Sequence, residues 1–417
     1  MSGNEREPLV PKLRFPEFQE EDGWGTKFGN SVFDQISNKD HNSDLPVLAI
    51  TQEKGAIPRD MIDYHVSVTD KSLEGYKVVE VGDFIISLRS FQGGIEFSRY
   101  RGICSPAYVI LRLRHDHSDD YFRHYLKTDR LIAQMTRNLE GLRDGKMISY
   151  KQFSELKLPV PSQEEQQKVA DCLSSLDDLI AAETHKLGTL KTHKNGLMQQ
   201  LFPREGESAP RLRFPEFSDA EEWTEERLED MAKRGSGHTP SKAHPEYYDG
   251  GIKWVSLADS KRLDAGLITE TEVEISAEGI ANSSAVLHPA GAVLLSRDAA
   301  VGKSAVMGEA MAVSQHFIVW TCKPTRLSNW FLYYSLQQRK PVFERVATGS
   351  TIKTIGLPFF IDMRLKVPLL PEQEMIAACL LTLDDHITAQ AQKIGALQIH
   401  KKSLMQQLFP VLGEVPT

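Results

Sequence analysis

The residue types that could carry chemistry are present, but their spacing does not assemble a reaction centre. Asp144, Glu155 and Lys157 give a loose D…E-x-K, the carboxylate and lysine set with which many nucleases hold a divalent cation. Such triplets are common by chance, and Glu155 and Lys157 flank a short extended run into Pro159. Gly302-Lys303-Ser304 resembles the end of a phosphate-cradling loop. The glycine required five residues before Gly302 is Arg297, which excludes that site. His115 and His117 flank Asp116 in a polar turn, where water is the expected partner rather than a metal. His193 and His400 hold equivalent places beside lysines on helices, as solvated side chains do. The cysteines Cys104, Cys172, Cys322 and Cys379 form no C-x-x-C pair, so neither a zinc ribbon nor a disulfide framework is expected, only reduced thiols. A methyl transfer to a base amine would need an N/D-P-P-Y/F loop and a glycine-rich turn for the methyl donor, and neither occurs. The pattern points to binding, with no catalytic or metal site.

Charge is distributed unevenly. The chain of 417 residues has a formal net charge of −8, which taken whole argues against a nucleic-acid partner. Yet residues 99–157 carry 12 Lys and Arg against 7 Asp and Glu, and residues 321–366 carry 8 against 2. Tyrosines and a tryptophan are interleaved there (Tyr100, Tyr121, Tyr125, Tyr150; Trp330, Tyr333, Tyr334). The acidity falls mainly on the tails, on a linker over 204–222 and on two long helical blocks. Two locally basic stretches at matching places suggest faces that bind phosphate.

Those faces must be positioned by a scaffold, and the scaffold is written twice. PKLRFPEF at 11–18 returns as PRLRFPEF at 210–217. Val160 to Pro203 aligns without gaps to Val367 to Pro410, with 24 of 44 positions identical. Apolar residues in these blocks recur in steps of three and four, the seam of a coiled coil. Ser162 with Glu165 reads as a capping box, Pro371 suits a first helical turn, and Pro203 and Pro410 end the helices. Acids crowd the starts and bases the ends, so antiparallel pairing sets each acidic start against the other's basic end. About 42 residues at 1.5 Å each make a rod of roughly 60 Å. The seam breaks at Glu183 and Gln390, either as a polar layer that fixes register or as a docking position for another protein.

Between the blocks, 24–157 and 223–365 are much less alike and read as mixed α/β. Val78–Val81 and Phe84–Leu88 are expected to be strands around a Gly-Asp turn. Tyr108–Leu111 and Phe317–Trp320 are also expected strands, and 119–139 and 327–346 helices. Gly82–Ser87 parallels Gly291–Ser296, and Asp144–Ile148 parallels Ser350–Thr354. The expected architecture is α/β (α+β), with two mixed modules separated by two long antiparallel helices in a pseudo-two-fold repeat. The divisions are 1–157 and 223–366 for the modules, 158–203 and 367–417 for the helical spacers, and 204–222 for the linker. The polar start MSGNEREPLV is no signal peptide, and no apolar run approaches the ~20 residues that span a bilayer, so a cytoplasmic location is expected.

With these motifs the chain resembles the specificity subunit of type I restriction-modification enzymes. The resemblance rests on the two P-K/R-L-R-F-P-E-F openings, each followed by a tryptophan (Trp24, Trp223), and on the P-x-x-x-E-Q entries at Pro161 and Pro368. The L-x-x-L-D-D runs at 173–178 and 380–385 and the L-M-Q-Q-L-F-P endings at 197–203 and 404–410 add to it. Gly237-His238-Thr239-Pro240-Ser241, followed by Trp254, looks like the family's G-x-T-P-S module opening; the first module has Gln35-Ile36-Ser37-Asn38 near that place instead.

The resemblance implies a non-catalytic subunit that reads DNA, each module taking one half of a bipartite, asymmetric site. It implies that the helices dock two modification subunits, which carry S-adenosylmethionine and methylate adenine, and that restriction subunits, driven by ATP with Mg, complete the cleaving complex. No cofactor is expected on this chain. The candidate DNA contacts are Arg89, Gln92, Arg99, Arg101, Arg143 and Lys146 in the first module. In the second they are Lys242, Tyr247, Arg297, Lys303 and Lys353. Glu183 and Gln390 are the candidate partner contacts. The alternative is a coiled-coil scaffold that binds two copies of a protein without reading DNA.

Overall fold

The computed structural model describes residues 9–41, 44–62, 73–88, 90–137, 148–204 and 206–411. The chain forms two compact units, residues 1–185 with 392–417, and residues 186–391. The main helices are α1 (Asp119–Tyr125), α2 (Asp129–Arg137), α3 (Gln163–Leu201), α4 (Asn329–Gln338), α5 (Lys340–Val346) and α6 (Leu370–Leu408). Each long helix, α3 and α6, gives its first half to one unit and its second half to the other. No helix among the described residues is long and apolar enough to cross a membrane.

In the first unit the strands are β1 (Gly25–Phe28), β2 (Phe33–Ile36), β3 (Leu48–Thr51), β4 (Gly55–Pro58), β5 (Lys77–Val79), β6 (Phe84–Ile86), β7 (Glu96–Phe97), β8 (Gly102–Cys104), β9 (Val109–Leu113) and β10 (Lys157–Val160). The central sheet is antiparallel in the order β2-β9-β6-β7. β1 pairs with β10 and closes the module at its chain ends. β5 and β6 flank the expected Gly-Asp turn but do not pair with each other: β5 pairs with β8, whereas β6 pairs with β7 and β9. Asp83 explains the change of sheet. Its Oδ2 accepts from the Glu80 amide at 2.8 Å, and both carboxylate oxygens accept from Arg112 on β9, which pulls the chain across at the turn.

In the second unit the strands are β11 (Thr224–Arg227), β12 (Ala232–Ser236), β13 (Tyr248–Val255), β14 (Leu267–Ile268), β15 (Val273–Ile275), β16 (Val293–Ser296), β17 (Ser304–Met307), β18 (Ala312–Val313), β19 (Phe317–Cys322) and β20 (Arg364–Val367). Its main sheet runs β12-β19-β16-β17-β14, which repeats the four-strand order of the first unit and adds one parallel edge strand. β11 pairs with β20 as β1 does with β10. A separate sheet runs β15-β13-β18; among its described residues the first unit has instead the two-stranded sheets β3-β4 and β5-β8, with a parallel bridge between Val47 and Ile103.

The repeated motifs are the joints of this frame. In the first unit Arg14 donates to both oxygens of Glu165 at 2.8 Å and to the Glu21 and Asp22 carbonyls, so the chain's opening segment is clamped to the start of α3. Arg213 does the same in the second unit, reaching Glu372, Ala220 O and Glu221 O. The expected capping box is therefore only half made: Ser162 Oγ accepts from the Glu165 amide, but the Glu165 carboxylate is taken by arginine. The segment 204–222, which composition marks as a linker, is held to the second unit by that Arg213 clamp and by Leu212 N donating to Gln200 O. The next residue of the motif serves the module. Gln166 accepts from the amide of Ser118, the N-cap of α1, while donating to Pro161 O. Gln373 does both at Ser328, the N-cap of α4, and Pro368. Trp24 lies edge-on to Tyr121, and Trp223 to Phe331, 6.1 and 5.7 Å between ring centres.

Within each unit the two helical segments run antiparallel, with acid against base as their charge order requires. Asp177 meets Lys401 in the first unit and Asp384 meets Lys194 in the second, both at 2.5 Å. The expected helices over 119–139 and 327–346 are each broken in two. Thr128 caps the second piece of the first through its hydroxyl, and Arg339 followed by Pro341 interrupts the other.

Candidate nucleic-acid interface

Sheet topology decides which loops gather. In the second unit β16 and β17 are joined by residues 297–303. Ser296 stands opposite Phe317, and Ser236 opposite Ile318. The end of β12, the β16–β17 loop and the entry to β19 therefore lie at one end of the sheet. Side chains stitch them together. Thr239 Oγ1 meets Gln315 Oε1 at 2.5 Å, joining the G-x-T-P-S element to the loop before β19. His316 Nδ1 lies 2.9 Å from Asp298 Oδ2, and Arg297 N donates to His316 O. Ala299 N donates to Lys353 O, and Ile355 N to Arg297 O, which zips the loop over 348–354 to the same place. Ala299 adopts a φ of 56°, a strained value for a residue with a Cβ, and Gly302 a φ of 84°.

Of the candidates in this unit, Arg297, Lys303 and Lys353 fall together here. Lys303, Lys340 and Lys353 line a cleft of about 360 Å³ with Ala299, Ala300, Val301 and Glu344. Lys303 is already engaged by Asp264 and Ser260 O, whereas Lys353 is exposed. Lys242 is exposed on the segment that follows Pro240, and Tyr247 stacks on His244 in the next turn. Asp298, His316, Gln315 and Thr239 were not among the candidates. Asp298 is adjacent to Arg297 in sequence, but the 18-residue separation from His316 leaves no local signal of the pair.

Gly237 shows why that element needs glycine. A Cβ there would run into the carbonyl oxygens of Val313 and Ser314, so the loop could not lie against the entry to β19. Gly237→Ala is expected to destabilise the second unit by about 1–3 kcal/mol, measured by chemical denaturation, with the first unit unaffected.

In the first unit the corresponding end holds the loop after β6 and residues 105–108 before β9, since Ile86 stands opposite Val109. Gln92 is exposed there. Arg89, Arg143 and Lys146 lie outside the described residues. Arg99 and Arg101 belong elsewhere: Phe84 stands opposite Phe97, so residues 98–101 lie at the other end of the same short strands. Arg101 is held by Glu80, and the charge of Arg99 acts on His124 beside the helical scaffold. These two do not join Gln92.

Some bases of the two stretches are paired with acids from other parts of the chain. Arg112 meets Asp83, Arg114 meets Asp34, Lys127 meets Glu96 and Arg326 meets Glu226. A local excess of bases is therefore not by itself a surface patch; in the cleft Lys340 lies 4.0 Å from Glu344, and Lys353 is exposed. Glu183 takes an ion pair with Lys393. Gln390 is buried within the second unit and has a partner of its own. Both places have partners within the chain.

A family model described as the type I restriction modification DNA specificity domain matches residues 29–192 and again 220–398. A type I restriction enzyme specificity subunit, MjaVIII, from Methanocaldococcus jannaschii is 23% identical over 358 residues, 82% of this chain and 81% of that protein. A putative MjaX specificity subunit from the same organism is 24% identical, over 73% of this chain and 67% of that one. Among solved structures, a chain from a study of complex assembly and conformational transition in the type I R-M system aligns over 93% of this chain and 98% of its own, with a TM-score of 0.59 at 17% identity. The type I restriction-modification S subunit from M. genitalium aligns over 97% of this chain and 100% of its own, with a TM-score of 0.57 at 14% identity.

Proposed function

The chain belongs to the type I restriction-modification DNA specificity family, and from that premise we propose that it reads a bipartite DNA site, one half with each unit, and performs no chemistry itself. The observation that carries this reading is a frame repeated joint for joint that presents two dissimilar sets of loops at the same end of its sheet. Similar joints suit two copies of one partner, and dissimilar loops suit two different half-sites. The partners are double-stranded DNA, two modification subunits on the helices, and restriction subunits. S-adenosylmethionine, ATP and Mg belong to those partners. Glu183 and Gln390 keep the helices in register, so that the exposed helix faces beside them receive the modification subunits.

The basic cleft of the second unit would hold backbone phosphate, which positions the duplex without reading it. Lys353→Ala and Lys340→Ala are each expected to weaken binding about equally for all sequences. Each should reduce the slope of log K against log salt by about 0.9, read from titrations at several salt concentrations with the modification subunit present. Exchange of residues 24–157 for the module of a relative is expected to change one half of the methylated motif and leave the other. A motif unchanged in both halves would overturn the function.

A further inference from the structure

In the second unit we propose that Asp298 is a positioning residue that orients His316, and with it Arg297, to read base edges; this rests on the DNA-reading function proposed above. The Asp298 side chain is 13% exposed and His316 34% exposed, so a buried carboxylate supports a ring that still reaches solvent. A carboxylate only accepts hydrogen bonds. In the neutral ring the 2.9 Å contact therefore places the proton on Nδ1 of His316, which leaves Nε2 as an acceptor. In the major groove such an acceptor matches an exocyclic amine, that of adenine or cytosine, and rejects the carbonyl edges of guanine and thymine.

The second oxygen of Asp298 and Nε of Arg297 are both buried without hydrogen-bond partners among the described residues, and they lie 3.7 Å apart. The two form an ion pair without a hydrogen bond, and a small rotation of Arg297 would make one. With Nε bonded to Asp298, the two terminal guanidinium nitrogens are left to form the fork that suits guanine. The backbone holds both readers in place. Arg297 N is bonded to His316 O, Ser296 Oγ donates to Asp298 O, and Ile355 N donates to Arg297 O. Arg297, chosen from sequence as a base reader, thus acquires a second reader and a shared support.

The test uses the full chain with its modification subunit and duplexes carrying every single base change across the motif that the wild-type complex methylates. His316→Ala is expected to lose discrimination at one position of one half-site by about tenfold or more, with the other half-site read as before. Asp298→Ala should relax the same position, and that of Arg297 with it. Asp298→Asn, whose amide oxygen still accepts from Nδ1, should restore selectivity at the His316 position. The intact half-site shows in each case that the variant is folded. Unchanged discrimination at every position in His316→Ala would overturn the inference and leave the DNA-reading function standing. So would a uniform loss of affinity without a change of motif. A wild-type complex that binds no DNA would overturn both.

Discussion

Glu372→Ala is expected to destabilise the second unit by about 3–5 kcal/mol. Glu372 is 1% exposed and accepts from Arg213 Nε at 2.8 Å, Arg213 Nη2 at 2.7 Å and Trp223 Nε1 at 3.4 Å. Its removal leaves a guanidinium, itself only 14% exposed, without its counter-charge, and detaches the 210–217 segment from the start of α6. Truncating one member of a buried pair leaves an unpaired charge, whereas replacing both with apolar residues of similar volume removes the desolvation cost as well. The double variant Arg213→Met, Glu372→Leu should therefore recover most of the loss. Glu165→Ala should act in the same way on the first unit, where Arg14 is 6% exposed. Urea denaturation followed by tryptophan fluorescence reports both, since Trp24 and Trp223 lie beside the two clamps. Equal stability of the wild type and Glu372→Ala would show that the clamp contributes nothing net.

These clamps also show where sequence reasoning stopped. The two openings and the P-x-x-x-E-Q entries were visible as repeats. Their meaning was not, because Arg14 and Glu165 are separated by 151 positions and Arg213 and Glu372 by 159. Helical periodicity and acid-to-base order established the antiparallel helices, since those depend on local spacing and on charge. Four strands were legible from β-branched runs and most of the others were not, while the pairing of β5 and β6 into different sheets turns on one buried carboxylate, Asp83. The site was the least legible part. Summing charges along 99–157 and 321–366 ignores Asp34, Asp83, Glu96 and Glu226, which fold back onto those segments. Arg297, Lys303 and Lys353 are legible as candidates because long cations in loops stand out. Asp298 and His316 resemble ordinary surface residues until the sheet brings them together.

The first unit is expected to lose stability in acid through His124, and the second to lack that sensitivity at the equivalent place. His124 is 3% exposed on α1, and its pKa is lowered to about 3, first by burial and then by the charges of Lys401, Arg123 and Arg99. Asp177 lies 3.8 Å from Nδ1, too far and too exposed to offset them. In the unfolded chain the imidazole titrates at its ordinary value near 6.5. A pKa depressed in the folded state means that the unfolded state binds the extra proton first. The contribution is therefore complete above pH 6.5 and is lost as pH falls toward 3, to a total on the order of 4–5 kcal/mol. Tyr334 takes this place in the second unit. Its hydroxyl donates to Asp384 Oδ2 at 2.7 Å, and burial raises its pKa, so it stays neutral throughout the acid range. His124→Tyr, which copies that arrangement, should flatten the pH dependence of the first unit between 6.5 and 3. Denaturant unfolding measured at intervals across that range compares the variant with the wild type. Parallel curves would mean that His124 is hydrated or paired when protonated, and that the acid sensitivity of the unit lies in other groups.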